Sequence, residues 1–88
     1  MALQYEKVGM IVHYYAKPSV AVVALSAELK KGDEIVIRGS TTNIEQIVDS
    51  IEIERKQILT GQAGQSVGMK IQGRARENDI VYRIKRTT

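Results

Sequence analysis

Few side chains in this sequence are of a kind that could carry a reaction. It has one histidine, His13, and no cysteine. His13 stands in an apolar run with no thiol or second imidazole at metal-ligand spacing, so it reads as a packed or hydrogen-bonded residue rather than a ligand or a base. Without cysteine, disulfide and thiolate chemistry are closed to the chain. Glu52 and Glu54 lie two apart, on one face of an extended segment, where paired carboxylates are ordinarily solvated rather than set up for acid–base work. The serines and threonines fall in turns, without the Gly-x-Ser-x-Gly elbow that exposes a nucleophile. Gly64 to Gly68 has the look of a phosphate-cradling loop. The spacing between its glycines is one residue short, however, Met69 stands where a lysine is required, and no helical pattern follows. No enzymatic activity, metal or cofactor is expected.

Binding has more material. Tyr14 and Tyr15 are adjacent and followed by Lys17, and tyrosines on strands beside basic residues can stack unpaired bases. The plainer reading of that pair is one tyrosine in the core and one on the rim. The formal charge is only +3, from 13 basic and 10 acidic residues, but the excess is concentrated. In the last third, Lys70, Arg74, Arg76, Arg83, Lys85 and Arg86 face only Glu77 and Asp79. Such a cluster is either a solvated face or a patch for a polyanion.

These residues are carried on strands. Val67, Met69 and Ile71 alternate with Gly68, Lys70 and Gln72, which predicts a strand with one face in a core, preceded by a turn at Gly61 to Gly64. Val8 to Tyr15 is rich in β-branched and aromatic residues and reads as strand one, apolar on both faces. Ala16 to Ser19, with Pro18, makes a turn into strand two, Val20 to Leu25, which is also apolar on both sides. Something must therefore cover its outer face: another part of the chain, a partner, or a second copy packed against Ala21, Val23 or Leu25. Leu29 is placed to plug one end of the core. Lys31 to Asp33 turns into strand three, Glu34 to Arg38. Gln46 to Lys56 alternates as the longest strand, number four, with a helix as its rival. Strand five is the Val67 to Ile71 segment, and Ile80 to Lys85 closes the chain as strand six.

Six or seven strands with regularly spaced turns predict an all-β chain: one domain over residues 1–88, a small closed antiparallel barrel with its core about 8–84, and a sandwich as the alternative. At this size a domain buries roughly 60–65% of its unfolded surface, a modest margin. No amino-terminal targeting pattern is visible, and the longest apolar run, Val20 to Leu25, is too short to span a bilayer, so a cytoplasmic protein without membrane contact is expected.

Three stretches, in order, carry a resemblance: Leu29-Lys30-Lys31-Gly32-Asp33-Glu34-Ile35, Ile51-Glu52-Ile53-Glu54-Arg55-Lys56, and Ala63-Gly64-Gln65-Ser66-Val67-Gly68. Together they resemble the second, β-barrel domain of translational GTPases of the elongation factor Tu type. Val8-Gly9, followed by His13-Tyr14-Tyr15 and Lys17, is similar to stand-alone versions of that barrel and to the carboxyl-terminal barrel of collagenase-like peptidases. The first resemblance implies a non-catalytic domain that binds RNA, either a tRNA acceptor end or ribosomal RNA. It places Glu52 as the carboxylate touching a terminal nucleoside, Arg55 beside it and Val20 as an apolar wall. Lys17, Lys70, Arg74 and Arg76 join them as the basic residues of the surface. The sequence departs from that pattern at Gln62 and Gln65, where an arginine and a glutamate are frequent, and it carries no nucleotide-hydrolysis motif. The second resemblance implies a substrate-binding or accessory module, with a protein partner or a homodimer through Val20–Leu25 as a further expectation.

Overall fold

A computed structural model describes residues 2–87, and no helix occurs among them. Ten strands follow one another: β1 (Ala2–Tyr15), β2 (Val20–Leu25), β3 (Leu29–Lys30), β4 (Glu34–Arg38), β5 (Asn43–Ile47), β6 (Ile51–Ile53), β7 (Lys56–Ile58), β8 (Thr60–Gly61), β9 (Ser66–Lys70) and β10 (Ile80–Thr87). Eight of them form one sheet in the order β5-β4-β10-β1-β2-β9-β6-β7, and β3 pairs with β8 in a separate ribbon. Every pairing is antiparallel.

The first and last long strands lie side by side, so that Ala2 is opposite Thr87 and Glu6 opposite Arg83. The β1–β10 pair runs through the middle of the sheet, not along a closing seam, and β5 and β7 are the ends of the ladder. The pairing thus establishes an all-β antiparallel domain, with more and shorter strands than the six or seven expected, and no ladder that closes it. No helix among the described residues is long and apolar enough to cross a membrane.

Alternation explains most of the core. Val67, Met69 and Ile71 point inward as expected, together with Ile35 and Ile37 from β4 and Val81 from β10. Leu29, fully buried, fills the place expected of it. On β2 the inward residues are Ala21, Val23 and Leu25, while Val20, Val22 and Ala24 are partly exposed on the other face. This corrects the expectation that Ala21, Val23 or Leu25 could meet a second copy. Those three belong to the core because β2 sits between β1 and β9, and the register of those neighbours fixes which side faces in.

β1 does not alternate. The register slips between Lys7 and Gly9, and again between Ile11 and His13, leaving Val8 and Val12 as extra residues. Each slip is a β-bulge and shifts the inward face by one. Inward residues therefore recur every third position: Val8 and Ile11 are buried, and Tyr14 packs partly buried against the same core. Gly9 lies beneath β2, where a Cβ would meet the Val23 side chain and the Ala24 carbonyl. The strand begins at Ala2, six residues earlier than expected.

The predicted long strand from Gln46 to Lys56 is broken. β5 ends at Ile47, and β6 and β7 form a hairpin in which Ile53 pairs with Lys56, leaving Glu54 and Arg55 as its two-residue loop. Both loop residues have positive φ, 51° and 66°, which is the type I′ geometry whose twist matches the flanking strands. Glu54 therefore does not share a strand face with Glu52.

Candidate functional site

The basic residues of the last third divide into two groups. Arg83 lies on β10 opposite Glu6, and its guanidinium donates to Glu6 Oε1 at 2.6 and 3.2 Å, to the Glu28 carbonyl at 2.7 Å and to Asp33 Oδ2 at 3.3 Å. Lys85 reaches the same Glu6 oxygen at 3.2 Å, and Arg86 forms a two-pronged pair with Glu34 at 2.8 and 2.9 Å. These bonds hold the Glu6 carboxyl below its ordinary range, chiefly through Arg83 and then Lys85, and the Glu34 carboxyl below it through Arg86. The same bonds raise Arg83 and Arg86 further. Three of the six cations thus bind carboxylates from β1, the turn before β4, and the start of β4. They tie the strands together, with Arg83 mostly buried and Lys85 and Arg86 about half exposed.

Lys70, Arg74 and Arg76 have no ion pair among the described residues, and neither has Lys17. Val20 is opposite Lys70 in the β2–β9 register, so the turn holding Lys17 and the end of β9 lie at the same end of the sheet. A cleft of about 370 Å³ opens there, lined by Tyr14, Ser19, Asp49, Lys70 and the 71–73 segment. Its walls are fixed by hydrogen bonds. The Tyr14 hydroxyl donates to the Gly73 carbonyl at 3.2 Å, and the Ile71 amide donates to the Ser19 carbonyl at 3.0 Å. Buried Gln46 reaches over from β5, donating to the Lys70 carbonyl at 3.0 Å and accepting from the Gln72 amide at 2.8 Å. Ser19 adopts a positive φ of 68° in the cleft wall, immediately after the cis Lys17–Pro18 bond. Tyr15 stands exposed beside this region with its ring edge-on to His13 at 4.3 Å.

Of the residues singled out from the sequence, Lys70 lines the cleft, Val20 is its partner on β2, and Lys17 and Arg74 are chain neighbours of the lining residues Ser19 and Gly73. Arg76 lies on the following loop, where its amide is capped by the buried Asp79 at 2.8 Å. Glu52 lies on β6 opposite Gly68 of β9, across that glycine from Val20 and two residues from Lys70, but outside the cleft lining. The Glu52 carboxylate accepts from Gln57 Nε2 at 2.7 Å across the β6–β7 hairpin, and Arg55 is at the hairpin tip. His13 is exposed on β1, with Glu77 at 3.6 Å from its Nδ1. Asp49, Ser19 and Gln46 were not singled out. Alternation alone puts Asp49 inside a strand, and the break after Ile47 brings it to the cleft. No group of three or more possible metal ligands occurs among the described residues.

The fold around this cleft has counterparts. The crystal structure of the C-terminal domain of a candidate U32 peptidase from Geobacillus thermoleovorans superposes with a TM-score of 0.83, at 20% identity, over 89% of this chain and 91% of that one. The chain has that fold. The selenomethionine form of the same domain gives 0.81 over 86% of this chain and 96% of that one. In sequence, the chain is 40% identical, over 98% of its length, to part of an uncharacterized protease of Methanocaldococcus jannaschii. It spans only 22% of that relative's length. No protein-family model matches the chain.

Proposed function

We propose that the chain is a non-catalytic binding module of the kind carried by collagenase-like peptidases. The observation that carries this reading is that the matched region is about a fifth of a protease, together with a fold shared with a peptidase's C-terminal domain. A part that small, without a nucleophile and base placed together among its described residues, contributes recognition rather than bond cleavage. Hydrolysis of fluorescently labelled gelatin by the chain alone tests it: no turnover above buffer is expected, and turnover that a single substitution in this chain abolishes would refute it.

A second observation favours RNA as what the module recognises. Lys17, Lys70 and Arg74, none of them in an ion pair among the described residues, belong to segments that line or adjoin the cleft, and Tyr15 follows the lining residue Tyr14 with its ring exposed. Cations beside ring faces are the usual means of holding single-stranded nucleic acid. This keeps the translation-factor-like reading in revised form. The sheet is taken as a barrel whose seam is sealed by the Gln46 side chain, and the RNA surface lies at the cleft instead of at Glu52 and Arg55. Fluorescence anisotropy with a labelled single-stranded RNA at two salt concentrations tests it. Affinity must fall as salt rises, and absence of binding at low salt removes the RNA reading while leaving the module reading in place. A protein partner on the outer face of β2 would instead cover Val20, Val22 and Ala24.

A further inference from the structure

The β1–β10 pair outruns its neighbours. β10 is paired with β4 only through Arg83, and β1 with β2 only from Gly9 onward, whereas the two pair with each other from Met10 back to Ala2. On the β2 side the last backbone bonds are those that the Ser26 and Ala27 amides donate to the Val8 carbonyl. Leu3 to Lys7 therefore have a strand on one side only among the described residues. In an antiparallel pair every second residue turns its N–H and C=O away from the partner, so this stretch presents open donors and acceptors. Residues 2–5 are exposed on both faces of the ribbon. A two-stranded ribbon is marginally stable at best in water, and a third strand is what it lacks.

Open edges are ordinarily blunted by unpaired charge. Here the charges beside the edge cancel: Arg83 and Lys85 are bound to Glu6, Arg83 also to Asp33, and Arg86 to Glu34, three cations against three carboxylates. Two such ribbons can approach each other without strong repulsion. The outer end is also apolar on one face. Leu3 and Tyr5 are 48% and 43% exposed, Ile84 is opposite Tyr5, and the Arg38 guanidinium lies over the Tyr5 ring, 4.8 Å from its centre.

We propose that a second copy of the chain adds its own β1 to this edge, antiparallel, about a two-fold axis at Gln4. Strand addition supplies the missing backbone partners, and a two-fold makes the contact self-complementary. The side chains choose the axis. Three axes through a residue keep at least three residues of Leu3 to Lys7 in the new ladder. One at Glu6 sets that carboxylate opposite itself, which is destabilising. One at Tyr5 sets Leu3 opposite Lys7. One at Gln4 sets Leu3 of each copy opposite Tyr5 of the other, with no charge against its like. Axes between residues shift the register by one and turn the apolar face of one copy towards the polar face, Gln4 and Glu6, of the other. At Gln4 the row running from Ile84 through Tyr5 continues into Leu3 of the second copy. The outer face of β2, where an apolar run is also exposed, has strands on both sides and no open backbone groups to offer. A ladder this short makes a weak dimer, formed at high concentration.

This inference goes beyond the module and RNA readings and depends on neither. Sedimentation velocity of the intact chain over about a hundredfold range of concentration tests it, alongside Leu3→Lys, Tyr5→Lys and, as a control further along the same strand, Val12→Lys. The parent and Val12→Lys are expected to pass from monomer to dimer as concentration rises. Leu3→Lys and Tyr5→Lys, which set a cation into the apolar row, are expected to remain monomeric. All three positions are exposed, so the variants should melt with the parent in dilute solution. Tyr5→Lys also removes the ring beneath Arg38, so Leu3→Lys decides where the two differ. Hydrogen exchange places the contact: amides of residues 3–5 should exchange more slowly in concentrated than in dilute protein. A parent chain that stays monomeric overturns the proposal. So does association kept in Leu3→Lys and lost in Val12→Lys, or exchange at residues 3–5 that concentration does not change.

Discussion

The Gln46 side chain donates to the Lys70 carbonyl at 3.0 Å, joining β5 to the end of β9 where no backbone ladder runs. Its oxygen accepts from the Gln72 amide at 2.8 Å, so one buried side chain meets both polar groups on this edge of the cleft. Replacing it by alanine leaves a carbonyl and an amide without partners. Gln46→Ala is expected to cost about 1–3 kcal/mol in urea unfolding and to alter the amide resonances of residues 70–73. A cost near zero would mean that the seam is held by something else.

The β6–β7 hairpin turns through two residues, Glu54 and Arg55, both at positive φ. Side chains with a Cβ tolerate that region poorly, and Asn-Gly is the pair such a turn favours. The double substitution Glu54→Asn with Arg55→Gly is expected to raise stability by about 1 kcal/mol in the same assay. A loss would show that Arg55 makes a contact that repays its strain.

Gly39 lies against Asp79, so that a Cβ there would overlap the carboxylate. Asp79 in turn caps the Arg76 amide at 2.8 Å and is itself buried. Gly39→Ala is expected to destabilise by about 1–3 kcal/mol, as forced displacement in a packed site does. It should also loosen the loop that carries Arg76, which hydrogen exchange at residues 76–79 would register. An unchanged melt would contradict the close approach.

Glu6 and Glu34 are expected to contribute to the pH dependence of stability. Arg83 and Lys85 hold the first below the ordinary carboxylate range, and Arg86 holds the second. A group depressed in the folded state contributes stability above its unfolded value, and loses it as the pH falls through its folded value. Thermal melts should therefore decline on acidification beginning at ordinary carboxylate pH and continuing below it, with a shallower decline in Glu6→Gln. Both carboxylates are partly exposed, so salt should weaken the effect. The same decline in Glu6→Gln as in the parent would place the titrating group elsewhere.

The sequence was legible where short runs of apolar residues are bounded by clear turns. β4, β9 and the start of β10 fall where alternation put them because Ile35, Val67 and Val81 must face one core, and β2 falls where its apolar run put it, although that run left its inward face open. β1 was not, since bulges at Val8 and Val12 replace a period of two by recurrences of three, and nothing in composition marks a bulge. The hairpin at Glu54–Arg55 was hidden for a related reason: its turn lacks the Asn-Gly signal, so the alternation of Ile51 and Ile53 seemed to run on. At the site, Lys17 was legible as a cation beside Tyr14 and Tyr15, and Lys70 as part of the basic last third. That Arg83, Lys85 and Arg86 were already committed could not be read, because their carboxylates lie about fifty or more positions away in the chain and meet them only through β1–β10 and β10–β4 pairing. Asp49 was missed with the strand break that exposes it.

The claim that this chain acts by binding, through the cleft end of its sheet, is tested most directly by titrating the isotopically labelled chain with a short single-stranded RNA and following its amide resonances. The account predicts progressive shifts confined to residues 13–20, Asp49 and 70–76, with the β6–β7 hairpin and the Arg83–Glu6 cluster still. Shifts centred on Glu52 and Arg55, or none at low salt, would contradict it.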